Sequence, residues 1–245
     1  MPDPGGIQTE SSKTPAPELS LDSRAVQALL LVLSITAGCT DVISFLGLDG
    51  LFTAHITGNL VILAAHIVIR DQASIAPMLS VPVFIVVISL TRVLAGRLES
   101  IGISALRPLL FLQFVLIAGF LALCLAAGRR IDPNATNAII AGMLGVSAMA
   151  VQNALVQFSL KGAPPTAVMT SNVTRFAMDI GELLAGDNPA AVADARKNMA
   201  RTLPAIIGFA VGCAIGAIAE ARFGLRSLIL SAALALFAYV LGFAV

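Results

Sequence analysis

Apolar residues occupy this chain in long blocks, each cut off from the next by a few polar, Gly or Pro residues. A bilayer core asks for about 20 apolar residues per helix, with roughly 17 tolerated. Blocks that meet or approach that length cover residues 25–48, 53–69, 75–94, 108–127, 137–160, 166–184, 202–219 and 225–244. The pattern predicts an all-α, polytopic membrane bundle of eight hydrophobic segments with six to eight crossings. Arg175, Asp179 and Glu182 interrupt the sixth segment, and a short surface helix is expected after Asn188-Pro189, ahead of the seventh.

Two polar interruptions resemble one another. Residues 52–59 read FTAHITGN and residues 165–172 read PTAVMTSN, so that at one constant offset Thr53 meets Thr166, Ala54 meets Ala167, Thr57 meets Thr170 and Asn59 meets Asn172. Ala37 with Ala150 and Phe45 with Phe158 fall on the same offset. A shared Thr-Ala-x-x-Thr-x-Asn is not built from common membrane residues, and it predicts a duplication within one membrane domain, 24–245, with repeats at 24–127 and 137–245. Whether the halves are parallel or inverted depends on whether the Thr/Asn segments cross, since four crossings preserve orientation and three reverse it. Lys and Arg distribute equally in both models, so charge does not choose. The length of 53–69 favours eight crossings.

On a helix, positions i, i+4, i+7 and i+11 share a face. That rule aligns His55, Asn59 and His66 in the first Thr/Asn segment, and Asn172, Arg175 and Asp179, extended by Glu182, in the second. Such side chains cost about 2.5–3.5 kcal/mol each at a helix centre and are expected to face a bundle interior or a wet cavity. Asn59 and Asn172, with His55, Thr57, Thr170 and Asn153, are the candidate solute-binding residues. Asp41, Asp179 and His66 are the candidate proton carriers. Arg175 and Asp179, one turn apart, have a simpler reading as a structural ion pair, and Thr57 and Thr170 as hydroxyls bonded to the i−4 carbonyl. Asp41 has no cation within helical reach and needs a partner from another element. Arg92, near the end of its helix, is expected to snorkel to the interface. Thr53 and Thr166 are expected as helix caps after Asp49-Gly50 and Ala163-Pro164-Pro165, leaving free amides at broken helices.

Composition agrees with the pattern. The 245 residues are 58% hydrophobic and 12% charged, where soluble domains carry about 25% charge. Lys and Arg balance Asp and Glu, which gives no basic excess for nucleic acid. Cys39, Cys124 and Cys213 are scattered among apolar residues and form neither a disulfide framework nor a metal spacing. Residues 1–23, rich in Pro, Ser, Thr and acids, predict a disordered tail rather than a signal peptide. Gly208, Gly212 and Gly216 draw a stripe down the seventh helix, and Ala141 with Gly145 a smaller one on the fifth. Such stripes bring backbones together. Packing within the chain is the expectation, and a homo-oligomer face the alternative.

The stretches TDVISFLGLDGLFTAHITGNLVILA and VQNALVQFSLKGAPPTAVMTSNVT resemble the YoaK-like bacterial membrane proteins, a family with a domain of unknown function. The likeness rests on Asp41, Phe52-Thr53-Ala54, Thr57-Gly58-Asn59, Gln152-Asn153-Ala154, Met169-Thr170 and Asn172; Val42 departs from the small residue usual after the aspartate. It implies a bacterial inner-membrane, multi-pass protein and supplies no substrate. Repeats with paired polar stripes point to a secondary transporter for a small polar solute, proton-coupled through the ionisable groups. A non-catalytic assembly protein is the second reading. An intramembrane enzyme is third, since no G-x-S-x-G, H-E-x-x-H or Cys/His cluster is present. No cofactor is indicated, and the lipid bilayer and an unidentified solute are the expected partners.

Overall fold

The computed structural model describes residues 21, 23–69, 75–128, 132–186 and 188–245. The expected tail therefore lies outside the described residues, apart from Leu21 and Ser23. All regular structure among the described residues is helical: α1 Arg24–Gly47, α2 Ile56–Ile69, α3 Ala76–Ser100, α4 Leu106–Ala127, α5 Thr136–Ser159, α6 Met169–Ala185, α7 Pro189–Phe223 and α8 Leu228–Leu241, with a 3-10 turn at Gly224–Ser227 between the last two. Five stretches are long and apolar enough to cross a bilayer: α1, α3, α4, α5 and the run Pro189–Leu241 that contains α7 and α8. This is the architecture of a multi-pass membrane protein. Large apolar side chains such as Ile85, Leu90, Val93, Phe111 and Ile215 point outward, where water would penalise them and lipid would not.

Buried apolar clusters mark levels along the bundle. Val26, Leu29, Ala95, Leu106, Leu109, Leu155, Leu160 and Ala238 pack together at one end. Ile43, Leu48, Ala76, Phe120, Cys124, Ala138, Ala141 and Leu228 pack together at the other. Hence α1 and α4 run from the Val26 end to the Ile43 end, while α3, α5 and α8 run the opposite way. Gly208 of α7 lies on Leu31, Gly212 on Ile35 and Gly216 on Cys39, so α7 runs parallel to α1. Thus α1, α3 and α4 traverse the bundle in alternating directions, and α5, α7 and α8 do so in the reverse order. Partners exchange accordingly: α1 packs on α7 as α5 packs on α3, α1 on α8 as α5 on α4, and α2 on α3 as α6 on α7.

The expectation that both Thr/Asn segments cross is corrected here. Residues 53–55 are not helical, and α2 is 14 residues long, short of a span. Moreover Ile62 packs on Gly50, and Ala65, His66 and Ile69 share a cavity with Phe45 and Asp49, so α2 returns to the end from which the chain entered. The sixth segment behaves likewise. Ala167 sits at mid-bundle with Ala54 and Ala148, but α6 ends three residues before α7, which begins beyond the Val26 end. Ala200 and Pro204 of α7 already line a pocket at that end with Leu21 and Ala163. The eleven helical rises from Pro189 to Ala200 therefore carry α7 about 17 Å further out. The seventh segment and the expected surface helix are one element, because Asn188 caps it by accepting from the Ala190 and Ala191 amides and no residue ends it before Phe223.

The α1–α7 contact is the closest in the bundle. A methyl added at Gly212 would overlap the Ile35 carbonyl oxygen, one at Gly38 would overlap that of Phe209, and one at Gly216 would lie 3.0 Å from Cys39 Cα. The glycine stripe is thus spent on packing within the chain. On α5, Gly142 receives Leu51 and Gly145 receives Thr53 and Phe120. Arg92 does not merely reach for the interface: its guanidinium lies 4.1 Å from the centre of the Phe158 ring, joining α3 to α5.

Two measurements follow. Single cysteines at Asp49 and Lys161 should be labelled from opposite sides of the membrane, as they lie at opposite ends of the bundle; labelling from one side restores eight crossings. Gly212→Leu should cost at least the ~1–3 kcal/mol typical of overpacking, seen as lost expression or melting temperature in detergent. Wild-type melting would place that face outside the core.

Candidate functional site

α1 ends in a tight turn in which the Gly50 amide donates to the Phe45 carbonyl and Asp49 takes a left-handed conformation, φ 52°. Residues 51–55 then run back along α1 in non-helical form until they draw level with Asp41. At membrane depth, non-helical backbone survives only where its polar groups find partners. Asp41 supplies them. Its Oδ1 accepts from the Thr53 amide at 2.8 Å, the Ala54 amide at 2.6 Å and, more weakly, the Thr53 hydroxyl at 3.3 Å. Its Oδ2 lies 2.6 Å from His55 Nδ1, which with Asp41 ionised carries the proton of that bond. Asp41 is 3% exposed. His55 is the partner that Asp41 lacked on its own helix, and its half-buried ring packs against Phe52 and, edge-on, against Phe209 of α7.

Asn59 closes the other side of the break. Its Oδ1 accepts from the Phe52 amide at 2.9 Å, while its Nδ2 donates to the Phe52 carbonyl and to the Ser80 hydroxyl of α3, both at 2.8 Å. The side-chain amide thus pairs with a main-chain peptide as a neighbouring strand would. In the second break Asn172 Nδ2 donates to the Pro165 carbonyl at 2.6 Å. Proline has no N–H, so the reciprocal bond cannot form. Thr166 is held from α5: Gln152 Nε2 donates to its hydroxyl at 2.8 Å and to the Leu33 carbonyl at 2.9 Å, and Gln152 Oε1 accepts from Gln113 of α4 at 2.7 Å. A carboxylate organises the first break, whereas a neutral amide relay organises the second. Ala54 and Ala167, one from each break, belong to the same central cluster.

The sequence-derived residues divide under this geometry. Asn59 and Asn172 are buried and their side chains are committed to the breaks, so they serve as clamps rather than as open solute ligands. Asn153 is buried and donates to the Met149 carbonyl of its own helix. Thr57 and Thr170 are exposed and stand in the first turns of α2 and α6, where no helical i−4 carbonyl exists; the expected back-bonds occur instead at Ser34, Thr36 and Thr40. Thr53 and Thr166 do not cap, since the helices begin three residues later. The amides of the first break are not free for an anionic ligand, because Asp41 already occupies them. No ion pair joins Arg175 to Asp179 among the described residues: Arg175 is exposed on a helix outside the packed centre, where an i,i+4 pair gains only about 0.3–0.5 kcal/mol. Asp179 is half-buried with one carboxylate oxygen unpartnered. His66 lies toward the Ile43 end, lining a cavity with Asp49. Sequence reasoning passed over Ser80 and Gln113; their signal was a lone polar residue within an apolar helix. No group of three metal-ligating side chains occurs among the described residues.

Asp41→Ala should strand two buried amides at about 1–3 kcal/mol each and abolish a cooperative melt, whereas Asp41→Asn keeps an acceptor and should remain folded. Asn59→Ala should lower the melting temperature more than Asn172→Ala, since it removes three strong bonds against one. Equal losses would contradict the role of Pro165.

Comparison with known proteins leaves this geometry without a characterised counterpart: no curated protein matches the chain, and no solved structure does. A family model described as "Protein of unknown function (DUF1275)" matches residues 29–241, which takes in both breaks and every helix from α1 to α8. The chain belongs to that family.

Proposed function

We propose that this protein is a secondary transporter of a small polar solute in the bacterial inner membrane, built from an inverted duplication of 24–127 and 137–245, and that it is YoaK-like within its family. One observation carries the reading: two non-helical breaks enter from opposite ends and reach the same central cluster, through Ala54 and Ala167. Transporters with inverted repeats place their substrate and coupling ions where discontinuous helices meet, because rocking of one repeat against the other then exposes the meeting point to each side in turn. The exchange of helix partners between the halves supports the same duplication. Asp41 and His55 form the ionisable pair at that level, and protonating the carboxylate would weaken its hold on the Thr53 and Ala54 amides. Proton binding is in this way coupled to the backbone of the first break.

The commitment of Asn59 and Asn172 to backbone clamping favours a second reading, a non-catalytic membrane assembly protein whose polar groups only hold helices together. Proteoliposomes under an imposed pH gradient separate the two. In a screen of amines, carboxylates, amino acids and sugars, the transport reading expects one class to accumulate with the gradient. It also expects Asp41→Asn and His55→Gln to remain folded and to lose gradient dependence by tenfold or more. Accumulation of no class supports the assembly reading, whereas accumulation with coupling unchanged in both variants keeps transport and removes Asp41 and His55 from it.

A further inference from the structure

At the Ile43 end, Phe45, Asp49 and Gly50 of the α1 turn and Ile62, Ala65, His66 and Ile69 of α2 enclose an open cavity of about 310 Å³. That is the size of small-ligand sites, which combine apolar walls with a few polar groups. Three features give the space a chemical character. Asp49 is exposed at the rim, and its carboxylate has no cation or hydrogen-bond donor among the described residues. Asp49 is also the one non-glycine residue with positive φ among the described residues, a conformation that the turn imposes and that places the acid on the cavity wall. His66 lines the cavity, and its Nδ1 is shielded from solvent and has no hydrogen-bond partner among the described residues. The rest of the wall is aliphatic, apart from Phe45, whose ring stacks on Phe52 of the first break at 4.6 Å between centres.

We propose that this cavity binds a protonated amine carrying a small apolar body. The carboxylate of Asp49 neutralises the ammonium, the Phe45 ring offers a face to the cation, and the aliphatic wall takes the body. His66 adds an imidazole to the same wall. An anion would meet an uncompensated carboxylate, and a neutral molecule would leave Asp49 unpaired. The site stands on the cavity and its side chains and does not require that the chain transports anything. The same ammonium chemistry exists in soluble amines and in the phosphatidylethanolamine headgroup.

The probe is 2-phenylethylamine, titrated calorimetrically into the full chain in phosphatidylcholine nanodiscs, beside the neutral 2-phenylethanol and the anionic phenylacetate. The amine should bind one per chain, at least tenfold tighter than the alcohol, with no saturable binding of the acid. Asp49→Asn should weaken the amine tenfold or more while leaving the ligand-free melting temperature unchanged, because asparagine takes the left-handed conformation as readily as aspartate. His66→Phe should weaken it several-fold. Replacing part of the lipid with phosphatidylethanolamine identifies the source: a raised apparent Kd marks the headgroup as occupant, and an unchanged one marks a soluble amine. Equal binding of amine and alcohol, absence of saturable amine binding, or wild-type affinity in Asp49→Asn overturns the proposal, and the alcohol comparison needs no variant to fold.

Discussion

Everything distinctive in this structure depends on one buried carboxylate that accepts two consecutive backbone amides. Without Asp41, residues 51–55 would place bare peptide groups at membrane depth, and the chain would have to continue as helix. With it, the chain turns back. A carboxylate 3% exposed would itself be costly, but two amides, a hydroxyl and an imidazole surround its oxygens, so the cost of the charge and the cost of the break offset each other.

The break in turn requires room beside α1, and that requirement explains the composition of the bundle centre. Leu51 and Thr53 lie against Gly142 and Gly145 of α5, while α7 approaches the other side of α1 through Gly38, Gly208, Gly212 and Gly216. Small residues on α1, α5 and α7 therefore serve two purposes. They allow helix backbones to touch where apolar side chains have no preference over lipid, and they leave a channel for the returning segment. Larger apolar residues are displaced to the outward faces of α3, α4, α7 and α8.

Much of this was legible in the sequence, and the misses are instructive. Long apolar blocks announce helices by length alone, so α1, α3, α4 and α5 fall close to their expected bounds. The repeated Thr-Ala-x-x-Thr-x-Asn marked the two breaks and the residues that clamp them. What the pattern could not convey was direction. Residues 53–69 have the apolar content of a span, and hydropathy does not register that Asp41, twelve residues upstream, removes Thr53 and Ala54 from the helix. The polar stripe failed for the same reason: helical spacing assigns His55 and Asn59 to one face, yet His55 precedes α2 and reaches Asp41 from non-helical backbone. Arg175 and Asp179 were paired on the assumption of burial, and on an exposed helix that pressure is missing. Ser80 and Gln113 show the reverse case, in which a solitary polar residue acquires meaning only once its partner across the bundle is known.

Two differences of chemistry separate the breaks, and the first is that Pro165 stands where the first break has Phe52. Phe52 gives its clamp both a donor and an acceptor, and its peptide is gripped on both edges by Asn59. Pro165 offers only the carbonyl edge to Asn172, and no acid stands at the counterpart of Asp41, which is Ala154. The two breaks are thus unequal in grip, like a door with a bolt on one side and a latch on the other. The peptide groups of the second break, on the Val26 side, are therefore the more weakly held of the two.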